Sequence, residues 1–284
     1  MTVTKNFEID RAFVRIREGL VHYRQCAELE AGLPPLYLLH ASPGSARTLE
    51  PLLAQLRAHG ATQRLIAPDT LGNGDSAAPQ PEVPEIAYFA QSVLRVLDRL
   101  QLERVDLYGS HTGARIATEL AAIAPDRVRK VVFDGITEYD RELKEQILER
   151  FAPPIEPDEY GRHLIWVFNF VRDQALHFPY FMRDPAHRVQ KPMPSATELH
   201  EKTLDVLKAM QTYQKSYLAA FRYEARKRLP LVKAPALFLA ADNEAPHLRA
   251  AAAEMAALTP ASQVRETVGG NAGKAAAIVE FLKS

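Results

Sequence analysis

The pentapeptide Gly109-Ser110-His111-Thr112-Gly113 carries the clearest chemical signal in the chain. It falls between a predicted strand, Val105 to Gly109, and a predicted helix, Thr112 to Ile123. Small residues around one large side chain are what a sharp, strained strand-to-helix turn demands. The residue at the apex is a histidine. An imidazole gives and takes protons near neutral pH, so this spacing points to acid–base work. The nine histidines show no His-x-x-x-His or Cys/His ligand spacing, so no metal is expected. The Gly72-x-Gly74 loop lacks the third glycine of a dinucleotide site, and no cofactor is implied.

Such a turn needs a sheet beneath it. Ala12 to Cys26 alternates apolar and polar residues around Glu18-Gly19, which predicts a hairpin with one wet face. Pro35 to His40 and Leu65 to Asp69 are short apolar runs of the kind buried on both faces. Helical patterns follow each, through Leu49, Leu52, Leu53 and Leu56, and then from Ile86 to Leu102. Val128 to Asp134, Pro235 to Ala240 and Gln263 to Val268 are further strands, with helices at Pro246 to Leu258 and at the end of the chain. Strands alternating with helices mean βαβ crossovers and a mostly parallel sheet. The alternation breaks from Thr137 to Arg228, a helical, aromatic stretch interrupted by prolines. Residues 1–136 and 229–284 are therefore expected to form the core, and 137–228 a helical insertion.

Two loops place the pentapeptide in a family. His40-Ala41-Ser42-Pro43-Gly44 resembles the His-Gly-x-Pro loop of α/β-hydrolases, and Asp69-x-x-Gly72-x-Gly74-x-Ser76 resembles their loop after the following strand. With the elbow and the insertion, the chain resembles the α/β-hydrolase superfamily over nearly its whole length, in its capped small-molecule hydrolase and lyase form. The resemblance implies an α/β fold: a mostly parallel eight-stranded sheet flanked by helices, with a helical cap. It also implies an oxyanion hole from the backbone N–H of Thr112 and that of Ala41 or Ser42. The departures concern the catalytic triad. His111 stands where the superfamily places serine, cysteine or aspartate, and Ser110 precedes the apex, where a side chain points away from the pocket. Triad order puts the acid after the strand ending at Ala240, at Glu244, with Asp242 an alternative and Asp134 a third. The base histidine belongs after Val268, where the chain has Asn271 and no histidine follows His247.

Losing the nucleophile or base of a serine triad costs about 10⁶-fold in kcat, roughly 8 kcal/mol. An acyl-enzyme route is therefore not expected. An imidazole reaches further from its Cα than a hydroxyl does, into the space of the missing base. His111 is expected to meet Glu244, Asp242 or Asp134 there, in a dyad suited to general acid–base catalysis. Reactions without a covalent intermediate fit: C–C cleavage, decarboxylation, elimination, isomerisation or water-mediated hydrolysis. The alternative is a ligand-binding protein that kept the pocket and lost turnover.

The insertion holds the chain's only tryptophan, Trp166, among many aromatic residues. Some of these are expected to roof a pocket for a partly apolar small molecule. His40, His163, Trp166, His177 and Tyr180 are the substrate-binding candidates. Lys+Arg and Asp+Glu each number 35, so no long-range field draws nucleic acid or an acidic lipid surface. No stretch approaches the roughly 20 apolar residues of a membrane span. The first residues, Met1 to Arg15, lack the apolar region of a signal peptide, and the single Cys26 suits a buried thiol in a reducing compartment. The expectation is a cytoplasmic protein acting on a small molecule. Oligomeric state leaves no signature, and a homodimer stays open.

Overall fold

The computed structural model describes residues 7–30 and 32–284; the first six residues of the stretch read for a signal peptide lie outside these. The chain runs β1 (Asp10–Ile16), β2 (Gly19–Cys26), β3 (Leu36–Leu39), α1 (Glu50–Ala58), β4 (Leu65–Pro68) and α2 (Ile86–Arg99). β5 (Val105–Ser110), α3 (Thr112–Ile123) and β6 (Val128–Asp134) follow. Five helices then intervene: α4 (Arg141–Arg150), α5 (Arg162–Leu176), α6 (Ala196–Lys208), α7 (Tyr213–Arg222) and the single turn α8 (Ala225–Arg228). The sheet resumes with β7 (Ala236–Ala241), α9 (Pro246–Ala257), β8 (Ser262–Thr267) and α10 (Asn271–Lys283).

All eight strands form one sheet in the order β1-β2-β4-β3-β5-β6-β7-β8. The β1–β2 hairpin and its β2–β4 junction are antiparallel; every pairing from β4 to β8 is parallel. This is the mostly parallel eight-stranded α/β sheet expected from the sequence. Alternation along the central strands explains why both faces are covered. Tyr37, Leu39, Leu107, Val131, Phe133 and Phe238 face α2, α3 and α9, whereas Leu36, Leu38, Tyr108, Val132 and Leu237 face α1 and α10. Among the described residues, no helix is long and apolar enough to cross a membrane. Cys26 is buried, and that burial pushes its thiol up from its ordinary range, which keeps it unreactive.

Several element boundaries shift from the sequence reading, and two elements show why. α2 stops at Arg99 rather than Leu102 because Gln101 takes a left-handed φ of 56°. β7 begins at Ala236, since Pro235 has no N–H for the ladder, and runs one residue further, to Ala241.

The parallel register brings the carboxyl ends of β3, β5, β6 and β7 to one edge: Leu39 lies beside Gly109, Ser110 beside Asp134, and Asp134 beside Leu239. Ligand crevices form along such an edge. Close packing of α3 on β3 depends on Gly113, where a Cβ would sit 2.2 Å from the Leu39 carbonyl oxygen. Backbone cannot yield as a flexible side chain does. Gly113→Ala is expected to destabilise the fold by about 2–4 kcal/mol, seen as a lower urea midpoint at unchanged slope.

Candidate active site

The site is built on a strained turn. His111 adopts φ 49° and ψ −102° between β5 and α3, and its backbone N–H donates to the Asp134 carbonyl oxygen at 2.9 Å. A non-glycine residue at positive φ costs on the order of 1–3 kcal/mol and persists only where its surroundings enforce it. Here the turn raises the imidazole into a cavity of about 760 Å³. The ring lies against Gly135, whose φ of 76° suits glycine and where a Cβ would come within 2.8 Å of the His111 Cε1. Ser110 does not line this cavity.

Of the three candidate carboxylates, Glu244 is the one beside the ring. Its Oε1 lies 3.4 Å from His111 Nε2, and both residues line the cavity. Burial works to raise the Glu244 carboxyl, but the His111 ring, then Lys274 and Lys191, outweigh it and hold the pKa down at about 2. Asp134 meets His111 through its backbone only. Its buried carboxylate accepts from the Tyr108 hydroxyl at 2.6 Å and from Lys274 Nζ at 2.7 Å. Asp242 lies outside the cavity lining and accepts from the amides of Gly269 and Gly270 at 2.8 and 3.2 Å, which hold its carboxyl below the usual range. It ties a loop.

Asn271 opens α10 and does not line the cavity, contrary to its expected place in the triad. Lys274, one turn further on, fills the role of a polar group reaching back from α10, and the sequence reading missed it. Its ammonium is buried and lies 2.7 Å from Asp134 and 3.7 Å from Glu244. Burial opposes its charge, yet Asp134 and then Glu244 more than offset this and raise its pKa. Lys274 thus serves two acids, and the His111 ring and Lys191 act on Glu244 as well.

Ala41, Ser42 and Thr112 all line the cavity. The Ser42 amide already donates to Thr112 Oγ1, at 3.4 Å, and the Ser42 hydroxyl lies 2.9 Å from that of Ser216 on α7. The Thr112 amide belongs to the first turn of α3, which has no partner within the helix.

The substrate-binding candidates divide. His177 lines the cavity; His40, His163, Trp166 and Tyr180 do not. His40 is fully buried, its Nδ1 2.7 Å from the Ala41 carbonyl while its Nε2 accepts from the Thr70 N–H at 2.9 Å, so both nitrogens shape the loop. His163 Nδ1 accepts from the Asp158 N–H, Trp166 stacks on Phe170 at 5.0 Å, and the Tyr180 hydroxyl donates to the Arg150 carbonyl. Phe178 and Phe221, among the aromatics of the insertion, line the wall, and His247, Phe151 and Leu199, which the sequence did not single out, complete it. His247 stacks on Phe178 at 5.3 Å, its pKa lowered mainly by burial, and Phe151, Leu199 and Phe221 supply apolar surface. No short motif marks any of them, because the insertion brings them together only in three dimensions.

Among the described residues, His22, Asp69 and Asp75 have ligand atoms close enough to share a metal ion. Protein partners occupy them: His22 Nδ1 lies 2.8 Å from Asp69, His22 Nε2 accepts from Arg11, and Asp75 pairs with Arg11 and Lys208. None of the three lines the cavity.

Comparison with known proteins agrees with this fold. Residues 34–276 match the model of the alpha/beta hydrolase fold. The chain belongs to the α/β-hydrolase family. Similar curated α/β-hydrolase relatives include a 2-hydroxymuconate semialdehyde hydrolase from a Pseudomonas species, 37% identical over 107 residues that make up 36% of each chain. A 2-hydroxy-6-oxo-2,4-heptadienoate hydrolase from Pseudomonas putida is 33% identical over 115 residues, 38% of this chain and 40% of that one. The matched region thus spans little more than a third of these relatives. Among solved α/β-hydrolases, epoxide hydrolase A from Mycobacterium thermoresistibile superposes with a TM-score of 0.70 at 21% identity, covering 98% of this chain and 99% of that one. An enol-lactonase from Burkholderia xenovorans gives 0.67 at 18% identity, covering 96% and 97%. At these identities the likeness concerns the fold.

The lowered Glu244 pKa makes a stability prediction. A carboxyl held below its ordinary 4.5 stabilises the fold above that pH and loses the contribution as pH falls towards about 2. Glu244→Gln is expected to lower the melting temperature at pH 7, by at most about 3 kcal/mol of stability, and to flatten the acid side of the Tm–pH curve.

Proposed function

We propose that this α/β-hydrolase is an enzyme for small carbonyl compounds that works through His111 and Glu244 without a serine nucleophile. The observation that carries the reading is an imidazole raised on a strained turn into the cavity, 3.4 Å from a carboxylate held ionised. The Glu244 carboxylate, facing Nε2, favours the tautomer with its hydrogen on that nitrogen, which leaves the Nδ1 lone pair to act as base. In hydrolysis, Nδ1 takes a proton from water as its oxygen bonds to the substrate carbonyl carbon. The resulting oxyanion is met by the Thr112 amide, with Ala41 the second donor because the Ser42 amide is already engaged. Collapse of the adduct breaks the bond to the leaving carbon or oxygen, which takes the proton back from His111. Each step conserves protons and needs no acyl-enzyme.

The cap formed by the inserted helices supports a partly apolar substrate, through Phe151, Phe178, Leu199 and Phe221 on the cavity wall. The names of the curated relatives direct the first assays to oxo-dienoates and semialdehydes.

Turnover of 2-hydroxymuconate semialdehyde, followed by its absorbance, tests the reading together with other carbonyl compounds. His111→Ala is expected to lower kcat on the order of 10²–10⁴-fold. Ser110→Ala is expected to leave it unchanged, and a fluorophosphonate probe to leave Ser110 unlabelled. Full turnover in His111→Ala, or clean labelling of Ser110, would overturn the mechanism. Ligand binding without turnover of any carbonyl compound would identify a pocket protein instead.

A further inference from the structure

Arg115 is a buried cation that no carboxylate among the described residues pairs with directly, although the Glu138 charge acts on it from further away. It lies in the first turns of α3, is 5% exposed, and forms part of the cavity wall. Nη1 donates to the His111 carbonyl at 3.1 Å and Nη2 to the Thr137 carbonyl at 2.5 Å, while the buried Nε has no partner. A guanidinium carries five N–H donors, so most of its capacity is unspent. The nearby acids are committed elsewhere. Glu138 accepts from the Arg226 amide at 2.8 Å, and Glu119 is paired with Arg228 at 2.8 Å and with the Tyr223 hydroxyl at 2.9 Å. An unpaired buried charge is costly, and the amino end of α3 is itself positive, so placing a cation there adds a second penalty.

A second orphan shares the cavity. Gln174 also lines it; its Oε1 accepts from the Tyr217 hydroxyl at 3.3 Å, whereas its buried Nε2 has no partner. Tyr217, which Gln174 meets, lines the same cavity as Arg115. Val171, Ala220 and Phe221 add apolar surface to the same cavity.

We propose that Arg115, with Gln174, forms an anion subsite that takes a carboxylate borne by an otherwise apolar small substrate. The planar fork of a guanidinium matches a carboxylate, and a ligand carboxylate would supply a paired countercharge and accept from the Nη hydrogens not given to the two carbonyls. The inference rests on the cavity being the substrate site, but not on His111 being the catalyst.

Titration calorimetry at neutral pH with phenylacetate and with neutral phenylacetamide tests it. The wild type is expected to favour the acid by roughly tenfold to a hundredfold. Arg115→Met and Arg115→Gln are expected to bring the ratio near one; the glutamine retains donors for the two carbonyls should the methionine variant fail to fold. Gln174→Leu is expected to weaken phenylacetate binding. His111→Ala is expected to keep the preference, so failure of the catalytic reading would be seen separately, as unchanged turnover. Lys191 and Lys202 also line the cavity, and the double variant Lys191→Met, Lys202→Met is expected to keep the ratio. Equal binding of the two probes by the wild type, no saturable phenylacetate binding, an undiminished ratio in Arg115→Gln, or its loss in the lysine double variant would each overturn the proposal.

Discussion

The Lys274 ammonium, buried between Asp134 and Glu244, is the interaction on which the geometry at the sheet edge depends. A buried ion pair adds little net stability, because removing the charges from water costs about as much as their attraction returns. Breaking one is another matter, since it strands a charge. The cluster therefore acts mainly on orientation: it fixes where two carboxylates from neighbouring strand ends can lie. Hydrophobic packing delivers the lysine. Ala275, Ile278 and Leu282 of α10 pack with Leu237 and Leu239 of β7, and the first turn of the helix is thereby set against the ends of β6 and β7.

The elbow is bound into the same arrangement. The His111 amide is held by the Asp134 carbonyl, its ring by Gly135, and the start of α3 by the contact of Gly113 with Leu39. Strain at one residue is maintained by three rigid neighbours, none of which relaxes without disturbing the sheet. The side chain at the apex thus has few choices of direction, which is why a ring there meets the carboxylate that follows β7.

Much of this was legible in the residues, and for identifiable reasons. The parallel sheet showed itself in continuous apolar runs such as Leu36 to Leu39, because strands covered on both faces cannot alternate. The elbow showed itself because steric demands restrict which residues fit. His111 and Glu244 were both candidates before any coordinates, since each occupies a fixed offset from a strand end. Lys274 was hidden because the offset looked for was that of a histidine in the preceding loop, and a lysine reaches the same space from a turn further along. Arg115 was hidden for a different reason: in a helix, an arginine reads as solvated until its surroundings are known. The inserted helices gave least, because proximity there is set by packing between helices rather than by any spacing along the chain, and three of the four pocket candidates drawn from them, His163, Trp166 and Tyr180, lie off the cavity wall.

The helices between β6 and β7 have their own apolar core, centred on Phe151, Phe170, Val206 and Tyr213, distinct from the two that cover the sheet. The strands they separate in sequence are nevertheless adjacent, with Asp134 in register with Leu239. The length and content of that excursion leave the sheet's hydrogen-bond ladder untouched. The apolar wall of the cavity, through Phe151, Phe178, Leu199 and Phe221, is thereby written largely in a different stretch of the gene from His111, Arg115 and Glu244. Drift in one stretch can alter which molecules are accepted while the other continues to encode the same chemistry, a division of labour that lets one scaffold diversify without refolding.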